Sequence, residues 1–167
     1  QRFPGLRSLG HLHLMRSDFE RVGGIATELM AMAETDQDQL LLSEAHLLTG
    51  LCRSWESGLP DAIEHYDQAV EYAGSSRSGY VDFRVGTHPA VVANVVSALA
   101  HWMAGTPDTA RSTMQRSLEL AAELDHPYSM AYATHHASLL DLWGDDVEAL
   151  RARTDELERL AAAHDYP

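Results

Sequence analysis

The sequence predicts an all-α fold, an α-α superhelix of about four helix pairs. Three observations carry this. A small residue recurs at Gly10, Gly50, Ala98 and Ala137, and twelve positions after each stands a small or β-branched one: Val22, Ala62, Ala110 and Ala149. A polar or Gly-bearing turn separates each couple: RSD, SGLPD, GTPD and GDD. The stretches on either side carry helical rather than strand periodicity. Two antiparallel helices joined by a short turn touch where both present small side chains, so a fixed offset across a turn is the signature of a repeated hairpin. The steps between units are 40, 48 and 39 residues, and the long step holds an insert, GSSRSGYVDFRVGT, at 74–87.

Each helix then follows in order. The first pair spans 3–16 and 18–34, the second helix showing Val22, Ile25, Ala26, Leu29 and Ala33 on one face. The second pair spans 37–56 and 60–73. LLLSEAHLLTGLCRSW is apolar on most sides, as a helix sandwiched between neighbours must be, and Pro60 and Asp61 suit the first turn of its partner. The third pair spans 88–104 and 107–124. VVANVVSALAHWMAG is again apolar all round, while Thr106 is placed as N-cap, Pro107 as first helical residue and Asp108 as the acid facing the helix dipole. Ala110, Met114, Leu118 and Ala121 give that helix one apolar face. The fourth pair spans 127–143 and 145–164, opened by Pro127 and by the acids Asp145 and Asp146. His88 and His126 each precede a proline at a helix start, where an imidazole can cap a backbone N–H.

Composition narrows the function classes. The chain of 167 residues is 45% hydrophobic and 22% charged, which suits one folded domain over 1–167. A net charge of -13 argues against direct contact with nucleic-acid phosphates or an anionic membrane surface. All 12 basic residues are Arg, so there is neither a phosphate-loop lysine nor a Schiff-base lysine. The lone cysteine, Cys52, sits mid-helix as a core residue and cannot form an intrachain disulfide, which favours a reducing, cytoplasmic compartment. No apolar run reaches the length of a membrane span. The chain starts at Gln1 rather than Met and reads as a fragment of a larger protein.

No catalytic constellation emerges, and neither a cofactor nor a metal is expected. No two of the 10 histidines stand three or four apart, so none share a helix face at ligand spacing. His135 and His136 point about 100° apart. His46, His101 and His135 are read as packing at helix interfaces and the rest as hydrated. In the insert, Val81, Phe83 and Val85 alternate with Asp82 and Arg84. That pattern fits either a loop folded over the core or a flap lining a groove, with Arg77, Tyr80 and Arg84 as its polar contacts.

The small residue, the turn and then Ala-x-x-x-aromatic-x-x-Ala resemble the tetratricopeptide repeat. Gly50, Ala62, Tyr66 and Ala69 carry it best. Met114 and Ser117 depart from it in the third unit, Arg153 and Glu156 in the fourth, and the units exceed the usual ~34 residues. The last half, above all DHPYSMAYA and the closing AAHDYP, is similar to the C-terminal repeat arm of bacterial signal-transduction ATPases, the adenylate/guanylate cyclase–ATPase fusions and ATP-dependent transcriptional regulators. The resemblance covers nearly the whole chain and is silent on the effector domain. It implies a non-catalytic interaction module that binds a protein or peptide, or another copy through its end repeats. A small-effector sensor controlling an upstream ATPase or cyclase is the alternative. The geometry of such arms places the first helices on a concave side. The candidates there are Arg7, His11, Glu44, Leu47, Leu51, Trp55, Val95, Leu99, Trp102, Thr134, His135, Ser138 and Asp141. The two tryptophans admit a core reading as well as a binding one.

Overall fold

The computed structural model describes residues 2–56, 58–75 and 87–164. All regular structure among them is helical: α1 (Arg2–Met15), α2 (Phe19–Asp36), α3 (Gln39–Glu56), α4 (Leu59–Ser75), α5 (Pro89–Met103), α6 (Pro107–Glu123), α7 (Pro127–Trp143) and α8 (Val147–His164). Each bound lies within two residues of the sequence expectation. The largest differences include the end of α4, which takes in Gly74 and Ser75, the first two residues of the expected insert. The chain forms two compact units, Gln1–Tyr80 and Val81–Pro167. In the first, α1 packs on α2, α2 on α3, α3 on α4, and α1 also lies against α3; α5 to α8 repeat that pattern in the second. Consecutive helices therefore pair, and first helices are neighbours, the local layout of an α-α superhelix.

Four hairpins close with one backbone bond. The N–H groups of Asp18, Gly58, Thr106 and Asp146 each donate to the carbonyl five residues back, on His13, Arg53, His101 and Asp141, at 2.9 to 3.1 Å. This is the long bond of a Schellman-type end, and it demands left-handed backbone nearby. Ser17, Gly105 and Asp145 supply it with φ of 56°, 80° and 57°. Gly58, at φ 111°, lies beyond the left-handed well open to other residues. Thr106 does sit at an N-cap, but its hydroxyl makes no cap bond; it donates back to the His101 carbonyl at 2.9 Å and braces the turn. The histidine caps form as the sequence suggests. His88 Nδ1 accepts from Ala90 N–H and His126 Nδ1 from Ser129 N–H, each at 3.2 Å. The Ser129 hydroxyl in turn accepts from the His88 N–H (3.2 Å), which ties the starts of α5 and α7.

Small residues set the helix spacing. Gly50 is buried, and a methyl placed on it would lie 2.5 Å from Tyr66 Cε1 and 3.1 Å from the Ala62 carbonyl oxygen. Tyr66 is itself 1% exposed, its hydroxyl 2.7 Å from Ser54 Oγ. At Gly10 the nearest atoms are side-chain methyls of Leu48 and Ile25 rather than Val22. Ala98, Ala110 and Ala137 are buried, whereas Ala149 is only half-buried. Seven residues from the small pair a second contact recurs with its donor exchanged. Ser43 Oγ on α3 donates to the Ala69 carbonyl on α4 (2.7 Å), and Ser117 Oγ on α6 donates to the Val91 carbonyl on α5 (3.0 Å). Around these crossings sit two cores, one with Val22, Leu29, Leu42 and Leu48, the other with Val91, Val95, Met114 and Leu140. Fully burying each such side chain contributes about 1.5–3 kcal/mol.

Gly50→Ala is expected to destabilise the chain by about 1–3 kcal/mol in urea unfolding, because the new methyl meets backbone and a locked ring. Gly10→Ala should cost less, since a leucine methyl can move and the helix gains up to ~1 kcal/mol of propensity. Equal losses at the two sites would show that crossing distance does not set the difference.

Candidate functional site

On the first-helix side, the structure brings Arg7, His11 and Glu44 together. Arg7 Nη1 donates to Glu44 Oε1 at 2.6 Å across α1 and α3, with both side chains largely covered, and His11 Nδ1 donates to the Arg7 carbonyl at 3.0 Å. Leu51, Leu99 and Ser138, one residue past their small residues, are half-buried. The Ser138 hydroxyl is turned back to the His135 carbonyl (2.6 Å). Leu47, Val95 and Thr134 do not face a groove: they are 3%, 0% and 0% exposed. All three stand three residues before the small residue, one helical turn away on the same face, so they enter the crossing itself. Asp141 turns toward α8, where Arg153 Nε donates to Oδ2 at 2.7 Å. Arg77, Tyr80 and Arg84 lie outside the described residues.

The histidines sort differently from the sequence reading. His46 is packed between helices, but His135 is exposed, set edge-on to the half-buried His136. His13 and His88 are buried rather than hydrated, each 7% exposed. His13 Nδ1 lies 3.3 Å from the Asp18 carboxylate, close enough for attraction though not aligned as a hydrogen bond.

Trp55 is 71% exposed, stacked on Phe19 at 6.1 Å between centroids. Trp102 is half-buried, 6.2 Å from the Trp143 ring and beneath the Arg111 guanidinium at 5.3 Å. Trp55 also belongs to a series. Two residues past the carbonyl that closes each hairpin stand Met15, Trp55, Met103 and Trp143, exposed by 77%, 71%, 60% and 45%. Leu142 and Val147, 56% and 51% exposed, flank the last of them along the chain. The sequence reading found Trp55 and missed the other three. The signal was present: each stands in the last two residues of its first helix, three before the residue whose N–H closes the turn.

Among the described residues, two grooves lie on the second-helix side. In the first unit α2 and α3, with His65 of α4, bound one of about 500 Å³, lined by Ala26, Met30, Cys52, Arg53, Glu56 and His65 among others. In the second unit, α6, α7 and α8 bound one of about 490 Å³ that includes the Asp141–Arg153 pair. Burial, reinforced by the Glu56 carboxylate 3.3 Å away, pushes the Cys52 thiol up to about 11, so at neutral pH it is a protonated donor and not a nucleophile. Beside this groove the rings of His46 and His65 meet across α3 and α4, Nδ1 to Nδ1, at 3.0 Å. Spacing within one helix could not reveal this pair. It follows from the Gly50–Ala62 crossing, counted four residues back on one antiparallel helix and three forward on the other. Among the described residues, no group of three or more His, Cys, Asp or Glu side chains is gathered to hold a metal ion. No described helix is long and apolar enough to cross a membrane.

No family model matches the chain, and neither a curated protein nor a solved structure shows significant similarity to it.

Burial, and then the nearby His65, lowers the His46 pKa from 6.5 to about 4. The unfolded chain takes up this proton near 6.5 while the folded chain resists until about 4, so acidification through that window favours unfolding. The urea midpoint should therefore fall between pH 7 and pH 5, and His46→Leu should flatten the dependence. His65, His88 and His136, also lowered by burial, keep part of the slope in the variant. Identical slopes in both proteins would contradict the assignment.

Proposed function

We propose that this chain is a non-catalytic protein-interaction module with a regulatory role, as the resemblance to repeat arms of bacterial signalling ATPases and transcriptional regulators implies. One observation supports the reading above others: a large apolar side chain stands exposed at the same place in all four hairpins. Singly exposed hydrophobes are ordinary, but recurrence in register is not what scatter produces. The partner chemistry follows from the surroundings. The second helices open with Glu20, Asp61, Asp108 and Glu148 in their first turns, Asp61 and Asp108 standing 4.0 and 3.9 Å from Arg53 and Arg111 and the other two adding acid beside these apolar ends. Asp145 and Asp146 add to the exposed acids at the last turn. Within either unit, an amphipathic segment with basic flanks and apolar anchors suits such turns.

A second reading, a sensor of a small effector, is supported by the groove at Cys52, Arg53 and His65, whose floor is apolar and whose rim is charged. Thermal-shift screening against charged metabolites tests it, and a flat panel counts against it.

For the first reading, a photo-reactive side chain replacing Trp55 or Trp143 should capture one discrete protein in the cells of origin. The same probe replacing Thr154, on the exposed face of α8, should not. Trp55→Ser and Trp143→Ser should then weaken that purified partner's binding about tenfold or more, measured where urea unfolding shows each variant still folded, since the lost contacts with Phe19 and Trp102 cost about 1–3 kcal/mol of stability. Equal capture from all three positions would remove the basis of the proposal.

A further inference from the structure

The His46–His65 contact is more than a helix-packing detail. Two imidazole nitrogens, each bound to one ion at about 2.0–2.1 Å, stand 3.0 Å apart when the angle between the bonds is about 95°. The spacing is about 3.3–3.4 Å at a tetrahedral ion and about 2.9 Å at a square one, each a small adjustment from the hydrogen-bonded pair. We propose that His46 and His65 form a two-point chelate, bridging α3 and α4, for a divalent first-row ion, Cu2+ ahead of Ni2+ and Zn2+ by the general affinity order for nitrogen ligands.

The pair is held in place before any ion arrives. The crossing at Gly50 and the Ser43–Ala69 bond fix the two helices, and the His46 ring is stacked on Tyr72 at 5.3 Å. In the absence of an ion one ring donates its Nδ1 proton to the other ring's Nδ1. With both protons at Nε2 instead, both Nδ1 lone pairs are free, so the change is a tautomer shift in one ring and no proton leaves. His65 lines the open groove, which gives an ion and its remaining water ligands a way in. Of the charges acting on His65, Asp61 and Glu64 favour a cation there and Arg53 opposes it. Two protein ligands hold the ion, and water supplies the others. This inference is independent of the interaction reading, since it concerns neither the exposed apolar positions nor a protein partner.

The test is titration of the full chain with copper(II) chloride at pH 7, followed by electron paramagnetic resonance and calorimetry. One ion per chain should bind, with hyperfine coupling to two imidazole nitrogens. His46→Gln or His65→Gln should each weaken binding at least about tenfold, since loss even of an outer-shell group costs a metal site that much. His135→Gln with His136→Gln should leave it unchanged. Nickel(II) at a hundredfold excess over its dissociation constant should raise the melting midpoint of the wild type by roughly 5–10 °C, because only the folded hairpin presents both rings. Undiminished binding in the H46Q/H65Q protein overturns the proposal. So does a wild-type spectrum with only oxygen or single-nitrogen coordination, a reading that stands even where a variant fails to fold.

Discussion

Two helix axes approach only as closely as the side chains between them permit, and the contact of Gly50 with Ala62 and Tyr66 is where this chain uses that limit most fully. Much of the first unit depends on it. The approach buries the Tyr66 ring and brings its hydroxyl to Ser54. It also sets the register at which Ser43 reaches a carbonyl on the facing helix and at which two histidines meet ring to ring. A methyl at residue 50 would move all of these together, because a packed interior transmits a small displacement instead of absorbing it.

The repeats conserve geometry more faithfully than residues. The serine that reaches across a hairpin stands on the first helix in one unit and on the second in the other, yet the same two helical positions are joined. A hydroxyl on either side meets the same requirement, a donor for a buried carbonyl's second lone pair. The turns behave alike: serine, glycine and aspartate all supply left-handed backbone, and the bond to the carbonyl five residues back is made regardless. Sequence identity between hairpins can therefore be low while the closing bond of each turn is kept, with Tyr66 at one crossing and Met114 at the equivalent place in another.

Features that depend on one helix and its ends were legible in the sequence, the helix bounds and the two histidine caps above all, and of the small-residue crossings Gly50 with Ala62 is met while Gly10 packs on Leu48 and Ile25 instead of Val22. What depends on two helices was less so. Leu47, Val95 and Thr134 share one register, and reading them as groove-facing placed the concave side a turn too near the crossing. Asp141 has its ion-pair partner twelve residues on, in the next helix, which periodicity within α7 cannot show. The histidine pair was invisible to a search for ligands three or four apart, since its spacing is set by the crossing and not by the helical pitch. Arg7 and Glu44, by contrast, were picked out on separate first helices and do meet, because both were assigned from the same inter-helix layout.

The exposed apolar ends of the first helices need a reason beyond folding. A Schellman-type turn is supported by apolar contact between the residue following it and one inside the last turn, so it does not call for a large side chain pointing into water within the last two helical positions. Lysine or glutamate would serve helix propensity there as well as methionine and better than tryptophan. Trp143 and Trp55 do find ring neighbours in Trp102 and Phe19, yet each leaves close to half or more of its surface in water. A polar residue in place of Met15 or Met103 would cost the fold little, while the two tryptophans combine a ring contact with apolar surface left in water. At four equivalent turns the chain therefore keeps apolar surface in water that the helix ends themselves do not require, and covering that surface would be favourable.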